Sequence, residues 1–314
     1  MGLIKKPHFP SKKHTKCVVG VAEKKTMEPM GEPEFRIQSL DSDTSVEVGT
    51  SDSPGMSEYM LMMHTIQSTA FRYMIESLKE VLNDGNMICD ASGIRVVSID
   101  ASHSTIVFMR LDGAKFERYH CPTRVVAGVN MHSFHKLIKS VTSSDTLTIF
   151  MCHAAPYELQ IRIDNKEKNV CLESKLKLLD IDQDSISIPP IKYDALIAMP
   201  SVDLQRYCRD LLIVSDKIRL VSADGAFELS AVGDFATQTI TVRERPSGAV
   251  FVPSKGAIPG SGVFSLKFLS MFAKTTNLSQ TVEILLKDSY PLILIYRIGD
   301  MGKLQYCLAP LADA

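Results

Sequence analysis

From about Glu58 onward, short runs in which every second residue is apolar alternate with longer stretches in which apolar residues recur every three to four positions. The first period belongs to strands, whose side chains point to alternate faces, and the second to helices with one apolar face. Thr69–Asn83 places Phe71, Met74, Ile75, Leu78, Val81 and Leu82 at helical spacing, and Met131–Val141 does the same with Met131, Phe134, Leu137, Ile138 and Val141. Ser201–Ile213 follows Pro200 with Ser201 as N-cap, and Leu266–Lys274 carries Leu266, Leu269 and Phe272. Strands are predicted at Ile94–Ile99, Thr105–Leu111, Val125–Val129, Leu147–Met151, Leu159–Ile163, Ile218–Ser222, Ala226–Val232, Gln238–Val242, Val282–Leu286, Leu292–Arg297 and Lys303–Leu308. Residues 1–57 lack both periods and are rich in Lys, Pro, Ser, Thr, Asp and Glu, so they read as a disordered tail.

The elements recur in order. Gly-Ile-Arg-Val-Val-Ser-Ile-Asp at 93–100 resembles Lys-Ile-Arg-Leu-Val-Ser-Ala-Asp at 217–224, and Leu-Lys-Glu-Val-Leu at 78–82 resembles Cys-Arg-Asp-Leu-Leu at 208–212. Phe134-x-x-Leu137-x-Lys139 with its following strand matches Leu269-x-x-Phe272-x-Lys274 with its own. Two copies of one α+β domain are expected, each with two helices. Between them, 178–194 is acidic and carries Pro189-Pro190, which favours extended chain over a ladder strand. Its Ile181, Ile186 and Ile188 either pack down onto a domain or line a docking groove.

Composition changes this picture little: 45% hydrophobic, 23% charged and mean hydropathy +0.04 suit a globular chain with a sizeable core. No apolar run reaches the ~18 residues of a membrane span, so no membrane association is expected. Seven cysteines without a C-x-x-C pair suggest neither a disulfide framework nor a zinc ribbon. The net charge of −1, taken as a total, argues against nucleic acid. Its distribution argues otherwise. The pairs Arg72/Lys79, Lys136/Lys139, Arg206/Arg209 and Lys267/Lys274 are three or seven positions apart, which puts a basic stripe on one face of each predicted helix. Such a surface suits phosphate contact without base readout. The lysine-rich start of the tail is either a solvated segment or a nuclear-localisation or nucleic-acid arm.

Enzyme signatures are missing: no P-loop, G-x-S-x-G, H-E-x-x-H or dinucleotide fingerprint occurs. The glycine-rich 256–262 segment contains Pro259 and reads as a hairpin or loop. His132 and His135 share a helix side, and Cys152-His153 adds donors, but no third ligand stands at metal spacing. Asp100, His103 and Ser104 have triad composition, yet Ser104 adjoins His103 in an apparent strand, where neighbours face opposite ways. No catalytic residue, metal or cofactor is assigned.

Residues 59–314 closely resemble the proliferating cell nuclear antigen family, the eukaryotic and viral DNA sliding clamps. The matching stretches are Ser98-Ile-Asp-Ala-Ser-His103, Gly128-Val-Asn130 with the Lys136/Lys139 helix, Leu179-Asp-Ile-Asp182, Ile188-Pro189, Met199-Pro-Ser201, Cys208-Arg-Asp-Leu211, Phe272-Ala-Lys274, Asp300-Met-Gly302 and Leu308-Ala-Pro310. The resemblance implies a clamp fold of two antiparallel-sheet domains, 58–177 and 195–314, joined by the 178–194 connector, with three chains closing head to tail into a ring. The Asn169–Leu176 strand and Met131–Val141 helix of one chain would meet the Phe235–Val242 strand and Arg206–Val214 helix of the next. Double-stranded DNA would pass the helices, and a clamp loader would be needed. DNA polymerase and other clients would dock in a pocket of Ile99, His103, Ile106, Ile186, Ile188, Pro189, Tyr290, Pro291, Leu308, Ala309 and Pro310. The implied location is the nucleus or a viral replication site. A subunit of a heterotrimeric checkpoint clamp and a monomeric DNA-binding processivity factor are the alternatives. Two departures stand out: Cys307 replaces a tyrosine of animal members, and the family's ubiquitin-accepting lysine has no match in Ser222-Ala-Asp-Gly225.

Overall fold

A computed structural model describes residues 56–182, 193–223, 225–245, 248–253 and 260–311. The first repeat runs β1 (Tyr59–Thr65), α1 (Ser68–Lys79), β2 (Asp84–Asp90), β3 (Gly93–Ile99), β4 (Thr105–Asp112), β5 (Arg118–His120), β6 (Val125–Asn130), α2 (Met131–Ile138), β7 (Asp145–Cys152), β8 (Glu158–Asn165) and β9 (Val170–Lys177). The second has the same order: β10 (Ala195–Pro200), α3 (Ser201–Leu212), β11 (Lys217–Ala223), β12 (Ala226–Val232), β13 (Thr237–Arg243), β14 (Val250–Pro253), β15 (Gly260–Ser265), α4 (Leu266–Phe272), β16 (Thr281–Leu286), β17 (Leu292–Ile298) and β18 (Gly302–Leu308).

The helices form where the apolar spacing predicts, with shorter ends. α1 stops at Lys79 instead of Asn83, because the amides of Val81 and Leu82 both turn back to the Leu78 carbonyl and fold Leu82 into the core. α2 is started by Asn130, whose side chain accepts a 2.9 Å bond from the Ser133 amide. Ser201 does not cap α3. Pro200 occupies the cap position, and the fully buried Ser201 hydroxyl donates instead to the Ser279 carbonyl at 2.5 Å. α4 ends at Phe272 and passes into a 3-10 turn over Ala273–Asn277, so Lys274 leaves the helical stripe that its spacing from Lys267 suggests.

Every strand pairing among the described residues is antiparallel. One sheet has the order β5-β1-β7-β8-β9, a second β13-β12-β11-β15, and a nine-stranded third β14-β10-β16-β17-β18-β4-β3-β2-β6. The nine strands are two pieces joined: β14-β10-β16-β17-β18 is the second repeat's equivalent of the first sheet, and β4-β3-β2-β6 is the first repeat's equivalent of the second. Their seam pairs β18 with β4, from Gly302 opposite Leu111 to Leu308 opposite Thr105.

This topology corrects one part of the repeat. β11 lies beside β12 and β15 as β2 lies beside β3 and β6, so the 217–223 strand corresponds to 84–90 and not to 93–100. The helix starts agree, since Ser68 and Ser201 are separated by the same interval as Asp84 and Lys217. β3 and β11 resemble each other because both are alternating strands in equivalent surroundings, and alternation does not say which strand is which.

One apolar core runs through both repeats between the helices and the sheets. At the seam, Tyr306 of β18 stacks on Phe272 at 4.4 Å, and its hydroxyl lies 3.1 Å from Thr275 Oγ1 and 3.4 Å from the Ser77 carbonyl of α1, which it meets as donor. α1 packs on α2, α3 packs on α4 and the 3-10 turn, and α1 packs on that same turn, so the helices make one row along one side of the chain.

Candidate nucleic-acid interface and docking groove

The helix row gathers all eight candidate cations. Lys136, Lys139, Arg206, Arg209, Lys267 and Lys274 are exposed, while Arg72 and Lys79 are half-buried. Arg72 lies over the Tyr73 ring at 4.3 Å, and its Nε is buried without a hydrogen-bond partner. Together with Lys139, Thr69 and residues 140–143 it lines an open notch of about 570 Å³ between α1 and the end of α2. His135 reports the joint field of the two helices: burial first, then the Lys79, Arg72 and Lys139 cations, hold its imidazole below the ordinary value against an opposing contribution from Glu76.

The row is not bare positive charge, which sequence spacing missed. Arg206 pairs with Asp203 at 3.1 Å and lies over Tyr207, Arg209 approaches Asp210 at 3.8 Å, and Lys267 pairs with Asp216 at 2.9 Å. Glu80, just past α1, takes Lys79 on one carboxylate oxygen at 2.8 Å and Lys274 on the other at 2.7 Å. Those two bonds, Lys274's first, draw its pKa down to about 2. Among the described residues, Lys136 and Lys139 have no ion-pair partner. The exposed pairs of Arg206, Arg209 and Lys267 contribute about 0–1 kcal/mol each, so they leave those cations able to exchange partners.

On the sheet face away from the helices, cross-strand partners form an apolar row. Ile99 stands opposite Ile106, Ile106 opposite Cys307, Cys307 opposite Ile293, Ile293 opposite Leu285, and Leu285 opposite Leu196. Directly opposed residues share a face. Leu285, Ile293 and Cys307 form a separate buried cluster, against which Ile106, Tyr193, Leu196 and Ile295 pack. Burial pushes the Cys307 thiol up to about 12, so it packs there as a small apolar group. Ile99 is 37% exposed and Tyr290 40%, with the Lys287 ammonium 4.1 Å from the tyrosine ring centre. Pro291 and Pro310 are half-buried and Ala309 is exposed.

The turn between β3 and β4 rims this groove. His103 adopts a left-handed φ of 57° there, and the 100–104 segment is a turn, not the strand expected for a His103-Ser104 pair. The Asp100 carboxylate is occupied by the amides of Ser102, Ser104 and Thr105 at 2.9, 2.9 and 2.5 Å and by the Ser102 hydroxyl. Burial alone would raise its pKa, but these bonds outweigh burial and hold it below the ordinary value. Asp100 thus shapes the turn and has no catalytic partner in His103.

Leu308 departs from the expected pocket. It alternates with Cys307, faces the helix-side core and is 1% exposed. Ile186, Ile188 and Pro189 lie outside the described residues. At the start of the connector, Ile181 offers its carbonyl to Asn86 Nδ2 at 3.0 Å, and Leu179 bridges to Gly128. Gly128 is required there, because a Cβ would lie 2.2 Å from the Leu179 carbonyl oxygen. Sequence reasoning missed Leu196, Leu285, Ile293 and Tyr193; the first three stand in line with Cys307 through strand register, which alternation along any one strand does not give.

Comparison with known proteins matches residues 60–186 to the model of the proliferating cell nuclear antigen N-terminal domain and 187–311 to that of its C-terminal domain. The chain belongs to the proliferating cell nuclear antigen family. It is 32% identical over 253 residues to the "Probable DNA polymerase sliding clamp 1" of Paramecium bursaria Chlorella virus 1, covering 79% of this chain and 96% of that protein. It is likewise 32% identical over 256 residues to the proliferating cell nuclear antigen of Chaetomium thermophilum, covering 80% of this chain and 98% of the fungal protein. To proliferating cell nuclear antigen 2 of Drosophila melanogaster it is 29% identical over 251 residues, 80% of this chain and 97% of the fly protein. All three relatives lack room for a counterpart to the first fifth of the chain, and the family match begins at residue 60.

Proposed function

We propose that this chain is a DNA sliding clamp: three copies close head to tail around duplex DNA, the helix row faces the phosphates, and the apolar groove outside holds a polymerase or another client. The observation that carries the ring is that the counterparts of the two seam strands both lie at sheet edges. Within the chain, β18 of the second repeat joins β4 of the first. Their equivalents, β9 and β13, are each the last strand of a sheet. β9 exposes Val170 and Leu172 on the face that carries the buried Leu176, and on β13 the half-buried Ile240 and Val242 continue the core to the edge. Leu212, Ile213 and Phe235 add exposed apolar surface near β13. A β13 of one copy laid on β9 of the next repeats the internal seam, hides both edges and extends the core. Such a contact is heterologous, so it makes a ring where its rotation closes.

The relatives, one named a probable DNA polymerase sliding clamp and another proliferating cell nuclear antigen, support the replicative reading over a checkpoint subunit or a monomeric factor. The clamp lowers no chemical barrier. It raises the effective concentration of a polymerase at its primer end by tethering, while mobile contacts between cations and phosphates keep the ring free to travel. Domains of 58–177 and 195–314, a 178–194 connector, a separate clamp loader and a place of work at nuclear or viral replication sites complete the proposal. A direct test loads the protein on nicked circular DNA with a clamp loader and ATP, then cuts the circle once. The proposal expects retention on the circle and release on linearisation; equal retention on both forms would overturn encirclement.

A further inference from the structure

Glu80 is oddly placed for a helix-stabilising acid. It follows the last residue of α1, where the carbonyl end of the helix dipole repels a carboxylate. Two lysines hold it there. Lys79 is its chain neighbour, and Lys274 comes from the 3-10 turn of the other repeat, 194 positions away. Lys79 bonds Oε1 at 2.8 Å and Lys274 bonds Oε2 at 2.7 Å, so each ammonium has its own oxygen. This is also how two lysines would share the non-bridging oxygens of one backbone phosphodiester. The Lys274 side chain is 57% exposed, whereas those of Glu80 and Lys79 are mostly covered, so a passing phosphate reaches the pair from the Lys274 side.

Resting on the clamp reading above, we infer that Glu80 is a built-in stand-in for a DNA phosphate, a positioning residue that keeps Lys79 and Lys274 aligned while limiting how tightly they grip the duplex. A phosphate moving along the helix row takes over the lysines from the carboxylate and returns them as it leaves. Neither ammonium is left unpaired between phosphates. The contact is therefore shallow, which is what a ring that must travel needs. Lys139, with no carboxylate partner among the described residues, grips without this competition.

The test uses the full chain at its native oligomeric mass and a fluorescein-labelled 40-bp duplex, read by anisotropy across a salt series. Glu80→Gln is expected to bind several-fold more tightly at low salt, with a log K against log salt slope steeper by up to about 0.9, the change for one further neutralised phosphate. Glu80→Asp, which keeps the charge, should return towards wild type. A purely structural role would lower stability without raising affinity or slope. Unchanged or weaker binding by a folded Glu80→Gln protein would overturn the inference. A second comparison does not depend on that variant folding: Lys274→Gln should lose less affinity than Lys139→Gln, and an equal or larger loss would overturn it. Absence of salt-dependent binding by the wild type would instead count against the clamp reading itself.

Discussion

Replacing Asp100 by alanine removes the anchor of the turn that rims the docking groove. The carboxylate serves four donors, but they are not equal. The Ser102 and Ser104 donors lie near the surface and recover water, whereas Thr105 is 1% exposed and its amide, 2.5 Å from Oδ1, has no other recourse. A hydrogen bond to a charged group contributes about 1.5–3 kcal/mol, and an orphaned buried donor costs about 1–3 kcal/mol. Asp100→Ala is therefore expected to destabilise by about 2–3 kcal/mol, and Asp100→Asn, which keeps one carbonyl oxygen at Oδ1, by about 1 kcal/mol. Urea unfolding at pH 7 measures both. Affinity for an amphipathic client peptide with aromatic anchors should fall in the same order, because Ile99 and His103 flank the released turn. The pH dependence has a definite sign. The folded pKa of Asp100 is depressed, so its contribution is present above the unfolded value and is lost as pH falls through the folded one. A loss below about 0.5 kcal/mol for Asp100→Ala, or equal losses for both variants, would refute this account of the turn.

Leu172→Lys on the β9 edge should shift the assembly towards single chains, since burying one leucine contributes about 1.5–3 kcal/mol and a lysine there would be desolvated; sedimentation velocity reads the change. Alanine at Lys79, Lys139, Arg209 and Lys274 together should flatten the salt dependence of duplex binding, by about 0.9 in slope for each phosphate no longer neutralised, while the assembly keeps its mass. Glu80 contributes stability above its unfolded value of about 4.3 and loses it as pH falls towards its folded value of about 2, so Glu80→Gln should show a flatter urea midpoint across that window.

Much of the fold could be read from the chain because the helices carry an apolar stripe, and Phe71, Phe134 and Leu269 all face the core as their spacing predicts. The strands were less legible where turn residues intrude. Asp84 and Gly85 look like a turn yet open β2, because Gly85 leaves room for the Met131 side chain, whose tip would meet a Cβ at 3.0 Å. β1 was missed because Tyr59-Met-Leu-Met-Met is apolar on both faces and shows no alternation, and β10 with Ala195-Leu-Ile-Ala-Met is similar. Candidate cations could be found by helical spacing, but their carboxylate partners could not. Glu80 and Lys274 meet only through the seam between repeats, and no sequence interval announces that. The docking groove was half legible: its rim follows from the family resemblance, whereas its floor of Ile293, Leu285 and Leu196 depends on strand register within the second repeat, and only the β18–β4 seam joins Ile106 to it.

The reading of β9 and β13 as two halves of one joint requires several copies joined head to tail, and the family resemblance implies three. Sedimentation equilibrium of the full chain at micromolar concentration tests it most directly. A single species of three times 34.8 kDa is the expected result, and a stable species of 34.8 kDa would contradict the account.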